Sequence, residues 1–258
     1  MNKDLLAEIA NQDYENTTKE IEAFLHQHAS KAKGFIFGLS GGVDSAVIAH
    51  ICARSFKDKT LALLMPDSNI SPKEETEDAL NMVDTLGLEY KLIDISTIHS
   101  QFANVVEPNE KALGNLRARI RASLLYYYAN LRNNLVIGSS DKSEFLIGYF
   151  TKFGDGSADI LPVVSLYKTQ IRELAKYLNV KESIIGKKSS PHLWKGHVAE
   201  EEIGIPYEEI DCILYCLEDK KMSIQETQKM TELSAEKIEK IYQLYKNNEH
   251  KRVMPPRL

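Results

Sequence analysis

The chain has 258 residues, with 32 basic against 37 acidic side chains and a formal net charge of −5. That length buries a full core in one domain with room for a small helical appendage, and the near-balanced charge argues against bulk binding to nucleic acid, leaving only a local basic patch as a route to it. No run approaches the roughly 18 apolar residues of a membrane span, and the start Met1-Asn2-Lys3-Asp4 has no apolar signal core, so the chain reads as cytoplasmic.

Residues up to about His28 read as helix, since Leu5, Leu6, Ile9 and then Ile21, Phe24, Leu25 and His28 recur at three- and four-residue spacing. His26 and His28 lie two apart and cannot share a helical face, which rules them out as a metal pair. Phe35-Ile36-Phe37, closed by Gly38, suits a buried strand, and a helix starts at Asp44 and runs to about Phe56. A second strand follows at Leu61 to Met65, ended by Pro66. Ser71-Pro72-Lys73-Glu74 predicts a helix start with a capping box and proline in the first helical position, running to Leu86 with Gly87 as its stop. Tyr90 to Ile95 predicts a third strand, Leu116 to Leu131 a helix, and Leu135 to Ile137 a fourth strand closed by Gly138-Ser139. Strands alternating with helices indicate an α/β fold, a parallel sheet flanked by helices, whose ligands bind beyond the strand C-termini.

From Gly148 to Asp159 the chain reads GYFTKFGDGSAD, twelve residues with three glycines. Loops of that length and composition are more often functional than connecting. A helix is expected from about Tyr167 to Leu178. The basic loop Lys187-Lys188-Ser189-Ser190-Pro191 opens a segment expected to be mobile to about Glu202. Helices at Tyr207 to Leu217, Ser223 to Met230 and Ser234 to Tyr245 follow, and a polar tail carries Glu249-His250-Lys251-Arg252. Cys52, Cys212 and Cys216 are odd in number and form no Cys-x-x-Cys, which argues against a disulfide framework or a zinc site and for buried packing.

The most informative stretch is Gly34 to Ser45, GFIFGLSGGVDS. A strand that stops at Ser40-Gly41-Gly42 and restarts as a helix turns several backbone N–H groups and the positive helix end towards one point, which suits an anion. It is not the kinase-type phosphate loop, which needs a lysine here; the chain has Val43 and Asp44 instead. A carboxylate beside a phosphate is repulsive unless a cation lies between them, so Asp44 is read as holding Mg²⁺ against a polyphosphate. The bland alternative makes Asp44 a helix N-cap and the glycines an ordinary turn.

Ser40 to Ser45, SGGVDS, resembles the signature of the ATP pyrophosphatases, which cleave ATP between the α and β phosphates and hold pyrophosphate in this loop. That group includes NAD, GMP, asparagine and argininosuccinate synthetases and tRNA-thiolating enzymes. Gly114 to Arg121, Gly148 to Asp159 and Glu249 to Arg252 together resemble the NAD synthetases over nearly the whole chain. The resemblance implies an adenine-nucleotide-hydrolase-like, Rossmann-like core over about 30–190, a helical segment over about 200–258, and a homodimer. It implies amidation of nicotinic acid adenine dinucleotide with ATP and ammonia through an adenylated intermediate, without a glutamine-hydrolysing domain.

By the same resemblance Gly38, Leu39, Ser40, Gly41, Gly42, Val43, Asp44, Ser45, Ser139, Lys168 and Ser190 bind ATP, with serine at positions 139 and 190 where the family usually has threonine. Asp44 and Glu144 would hold Mg²⁺, and Arg119, Lys152, Asp159, His250 and Lys251 the dinucleotide. Arg117 and Arg121 share a helix face away from Arg119 and are expected to meet solvent or a partner subunit. Asp155 or Asp159, by position alone, could take the proton of the incoming ammonium. Another amidating or thiolating ATP pyrophosphatase is the near alternative, though a thiolating enzyme would call for reactive cysteines and a basic RNA surface. A non-catalytic ATP-binding protein is the other, but it does not require Asp44 together with Glu144.

Overall fold

The computed structural model describes residues 1–30 and 32–257. Two helices open the chain, α1 (Lys3–Ala10) and α2 (Tyr14–Ala29), where one continuous helix was expected. Asn2 caps the first and Asp13 the second, accepting the Asn16 N–H, so the intervening residues 11–13 form a corner. The break sends the two helices to different cores.

Strand β1 (Gly34–Gly38), helix α3 (Val43–Ser55), strand β2 (Thr60–Leu64), helix α4 (Lys73–Leu86) and strand β3 (Glu89–Leu92) alternate as expected. Helix α4 departs at its start. Pro72 is the residue before the first turn and Ser71 is not a cap, because its hydroxyl accepts the Asp67 N–H at 3.0 Å. Gly87 ends it at φ 64, as its stop signal predicts. Beyond β3 lies a short helix, α5 (Ser96–Ala103), that the pattern did not announce. Helix α6 (Glu110–Arg132) begins a turn and a half before its predicted start, capped by Asn109, and β4 (Asn134–Ile137) follows.

All pairings are parallel, in the order β3-β2-β1-β4. Period-two alternation sorts the strand side chains between two cores. Phe35, Phe37, Ala62 and Leu64 face one layer with α2, α3 and α4, while Ile36, Leu61, Leu63 and Val136 face the other with α6. The expected parallel α/β sheet flanked by helices is what the structure shows.

After the sheet come α7 (Lys142–Ile147), α8 (Lys168–Tyr177), α9 (Glu182–Ile185) and α10 (Ala199–Ile203). The remaining elements are α11 (Tyr207–Leu214), continued by a π-helical turn over Tyr215–Asp219, α12 (Ile224–Thr231), α13 (Ala235–Asn247) and α14 (Glu249–Arg252). A third core joins Leu5 and Ile9 of α1 to Ile210, Ile213, Ile238 and Ile241. The polar tail is thus a helical turn. Arg252 donates to the Tyr245 carbonyl at 2.7 Å, and Lys251 to those of Gly148 and Phe150 at 2.6 and 3.0 Å.

Candidate active site

The loop after β1 has the shape its residues dictate. Gly41 sits at φ 87, and a Cβ there would lie 2.3 Å from the Glu75 carbonyl oxygen, so both conformation and space require glycine. Gly42 is the N-cap of α3 and makes no side-chain cap bond. Asp44 therefore is not a cap; it lies in the first turn, which removes the bland reading of this residue. Ser45 stands behind the loop: its hydroxyl accepts the Ser40 N–H at 3.2 Å and donates to the Gly42 carbonyl at 3.1 Å. The N–H groups at the positive end of α3 open into a crevice of about 270 Å³ at the C-terminal ends of β1, β2 and β4. Ser139, Glu144 and Ser190 line the same crevice, as does Asp155 from the glycine-rich loop. Ser190 is already engaged, accepting the His192 N–H at 3.2 Å and donating to the His197 carbonyl.

Beside the loop lies a buried charge cluster. The Lys168 ammonium is wholly enclosed, 2.7 Å from Asp44, 2.7 Å from Asp141 and 3.0 Å from Glu144. Burial alone would lower its pKa, but the three carboxylates overcome that and hold it well above the ordinary value. Burial pushes Glu144 up to about 8, with Asp141 and Asp44 adding to the shift and Lys168 opposing it. Behind the lysine, the Tyr207 hydroxyl donates to Glu144 at 3.3 Å, and the ring sits 5.0 Å from the ammonium. The start of α8 is held from a distant helix. Ser143 accepts the Lys168 N–H at 3.0 Å and itself donates to Asp211, which also accepts the Thr169 N–H at 2.8 Å and the Thr169 hydroxyl at 2.7 Å.

Arg117 and Arg121 turn inward, against the expectation that they meet solvent or a partner. Arg117 pairs with buried Asp67 at 2.6 Å, and Arg121 donates to the Met65 carbonyl at 3.0 Å and lines the crevice. Arg119 is the one that points out. It donates to the Lys152 carbonyl at 3.3 Å, and Lys152 in turn donates to the His250 carbonyl at 2.6 Å. These three and Lys251 form one surface along the glycine-rich loop. Asp159 is apart from them and lines neither cavity: it accepts the Val136 N–H at 2.7 Å and the Tyr126 hydroxyl at 3.3 Å, closing the edge of β4.

A second cavity of about 440 Å³ adjoins the crevice and shares Tyr149 and Asp155 with it. Phe150, Trp194, His197 and Lys251 line it. Asp155 accepts the Thr151 N–H at 2.9 Å, and although solvent reaches it across the cavity mouth, the surrounding walls raise its pKa. His197 stacks on Trp194 with ring centroids 3.5 Å apart, and Tyr149 donates to Glu202 at 2.8 Å. Sequence reasoning missed Asp141, Asp211, Tyr207 and this aromatic group. Two left a signal: Asp141 stands three before Glu144, in capping-box spacing, and Asp211 is a lone acid in the run Ile210-Asp211-Cys212-Ile213.

A model of the NAD synthase family matches residues 16–255. The chain belongs to this family. The NH(3)-dependent NAD(+) synthetase of Hyperthermus butylicus is 47% identical over 256 residues, covering 97% of this chain and 93% of that one. The NH3-dependent NAD synthetase of Campylobacter jejuni, solved with a nitrate ion, superposes with a TM-score of 0.82 at 38% identity, over 96% of this chain and all of the other. A protein described as an NMN synthetase, from Francisella tularensis, superposes with a TM-score of 0.84 at 35% identity, over 96% and 99% of the two chains. The family match thus runs through this chain's loop, sheet and helical C-terminal segment as one continuous stretch.

Proposed function

We infer that the chain is an ammonia-dependent NAD synthetase. It amidates nicotinic acid adenine dinucleotide with ammonia, using ATP as co-substrate and releasing AMP and pyrophosphate. The observation that carries this is a glycine loop followed by a helical turn that holds Asp44 beside Glu144, both lining one crevice, in a chain that the NAD synthase family model matches over residues 16–255. A carboxylate resists attack by an amine because it is anionic and its oxygen leaves badly. Transfer of AMP removes both obstacles.

The α3 N-terminus and the loop N–H groups receive the phosphates, with Ser139 and Ser190 beside them. Three carboxylates around one ammonium leave the cluster short of positive charge, and burial, with Asp141 and Asp44 adding to it, raises the Glu144 carboxyl. Asp44 and Glu144 suit Mg²⁺, which is commonly held by one or two carboxylates together with phosphate oxygens. When bound, the ion supplies charge neutralisation for the departing pyrophosphate. Lys168 adds a cation at the same end of the crevice.

The adjoining cavity suits the acid dinucleotide: Tyr149, Phe150 and Trp194 offer aromatic faces, and Lys251 a cation. Arg119, Lys152 and His250 extend that wall outward, and Asp159 belongs to this reading only through the loop it ends. We read Asp155, where the two cavities meet, as taking the proton of the incoming ammonium, and its raised pKa makes it a stronger base than an ordinary carboxylate. A homodimer is supported by the apolar side chains of Tyr127 and Leu131, one turn apart on α6 and both exposed. We read the whole chain as one domain working in the cytoplasm; no described helix is long and apolar enough to cross a membrane.

A thiolating enzyme is disfavoured, because all three thiols are buried and burial pushes them up, Cys52 and Cys212 to about 12 and Cys216 to about 11. The test is incubation with ATP, Mg²⁺, ammonium and the acid dinucleotide, measuring AMP and NAD. Nicotinic acid mononucleotide is offered in a parallel reaction, because one structural neighbour is described as an NMN synthetase. Equal yields of AMP and NAD are expected. ADP formation, or product from the mononucleotide alone, would overturn the reading.

A further inference from the structure

Of the three carboxylates at Lys168, Asp141 is the one that does not reach the crevice. Asp44 and Glu144 keep 20% and 21% of their side chains exposed, whereas Asp141 and Lys168 are fully enclosed. Asp141 Oδ1 accepts the Glu144 N–H at 2.8 Å and so caps α7. Its Oδ2 lies 2.7 Å from the Lys168 ammonium and has no other partner among the described residues. The lysine also donates to Asp44 Oδ1 and Glu144 Oε1.

An ammonium has three N–H donors and no lone pair to spare for a metal. With two donors spent on Asp44 and Glu144, Lys168 is poorly free to touch a phosphate. With a divalent cation held by those two carboxylates, Lys168 would lose its hydrogen bonds to them and be repelled. The ion cannot reach Asp141, which is walled off behind the lysine. Were the ammonium to leave, Asp141 Oδ2 would be a buried charge with nothing to balance it, an arrangement that proteins strongly disfavour.

We propose that Asp141 is a positioning residue: it keeps the Lys168 ammonium beside the phosphate loop when a divalent cation occupies Asp44 and Glu144, and so turns the lysine's freed N–H groups to the nucleotide. The ammonium stays on Asp141 Oδ2 and points its other donors into the crevice. Cation and nucleotide then strengthen each other's binding, since each gains from the lysine's turn. This rests on the reading of Asp44 and Glu144 as the cation's ligands.

The test uses the full chain with Mn²⁺ as the probe, free Mn²⁺ being followed by electron paramagnetic resonance with and without α,β-methylene ATP. In the unaltered protein the analogue and Mn²⁺ should tighten each other. Asp141→Asn, which keeps the cap on α7, should reduce that mutual tightening about ten-fold, the usual scale for a residue behind a metal ligand. In a Lys168→Met background the same change should alter it by less than about two-fold, because Asp141 acts through the lysine. An equal loss in both backgrounds would reduce Asp141 to a plain charge and overturn the proposal, as would an unchanged coupling in Asp141→Asn. If that variant does not melt cooperatively, Asp141→Glu, with the anchor displaced, takes its place in the same cycle. Asp44→Asn separates the two levels. Should it bind Mn²⁺ like the unaltered chain, the ligand reading itself fails; should it lose Mn²⁺ while Asp141→Asn acts equally in both backgrounds, only the anchor role falls.

Discussion

The glycine loop after β1 and the lysine cluster border one crevice but are built in opposite ways. The loop is a run of consecutive residues shaped by its own backbone: Gly41 in the left-handed region, Gly42 as cap, and Ser45 bonded back within five positions. The cluster gathers side chains from distant places, with Lys168 lying 124 positions from Asp44 and backed by Tyr207 and Asp211 from α11. A site made of backbone can be altered with a local effect, whereas a buried charge cluster ties the chemistry to the stability of the fold.

Replacing Lys168 should therefore have the largest effect. Lys168→Ala leaves enclosed carboxylates unbalanced, so about 3–5 kcal/mol of stability should be lost in urea unfolding, together with NAD formation. Gly41→Ala, on the loop side, should cost about 1–3 kcal/mol for its strained φ and raise the KM for ATP more than that for the dinucleotide. If its loss of stability matched that of Lys168→Ala, the contrast between the two regions would break down.

Asp211 sharpens the contrast through pH. Burial pushes its carboxyl up to about 7, and the hydrogen bonds from Ser143 and Thr169 only partly oppose that. Between its unfolded value of about 4 and that folded value, the folded chain holds a proton the unfolded chain has lost, so this group's contribution falls as pH rises through the window. Asp211→Asn removes the slope. The unaltered chain should lose stability relative to the variant between pH 5 and pH 7.5, read from urea midpoints, and a constant difference would count against a buried raised carboxyl. The smallest effect belongs to the loop: Ser45→Ala removes the acceptor for the Ser40 N–H and should cost about 1 kcal/mol, with the fold's pH dependence untouched.

The same division explains what the sequence made legible. Alternating strands, the Gly41 turn and the Gly87 stop are local signals, each carried by neighbouring residues, and each appears in its place, except that the third strand, read to Ile95, ends at Leu92. Helix α5 was not readable because it is short, has one buried side chain, His99, and is preceded by Ile95, which offers no cap. The break after α1 hides in a helical pattern that continues on both sides, since residues 11–13 carry no glycine or proline. Arg117 and Arg121 looked solvated because their partners, Asp67 and the Met65 carbonyl, lie about fifty positions back along the chain. Lys168 likewise had a role only through family resemblance, because its three carboxylates come together only when α3, α7 and α8 pack. Lys251 was placed in a solvated tail for the same reason; its carbonyl partners, Gly148 and Phe150, lie about a hundred positions away.

The central claim is that a triphosphate seated on this loop passes its adenylyl group to the acid substrate before ammonia arrives. Turnover of nicotinic acid adenine dinucleotide carrying ¹⁸O in its carboxylate, followed by mass spectrometry of the AMP, tests that step directly. One labelled oxygen in each AMP phosphate is the predicted result. Label confined to phosphate or pyrophosphate, with none in AMP, would contradict it.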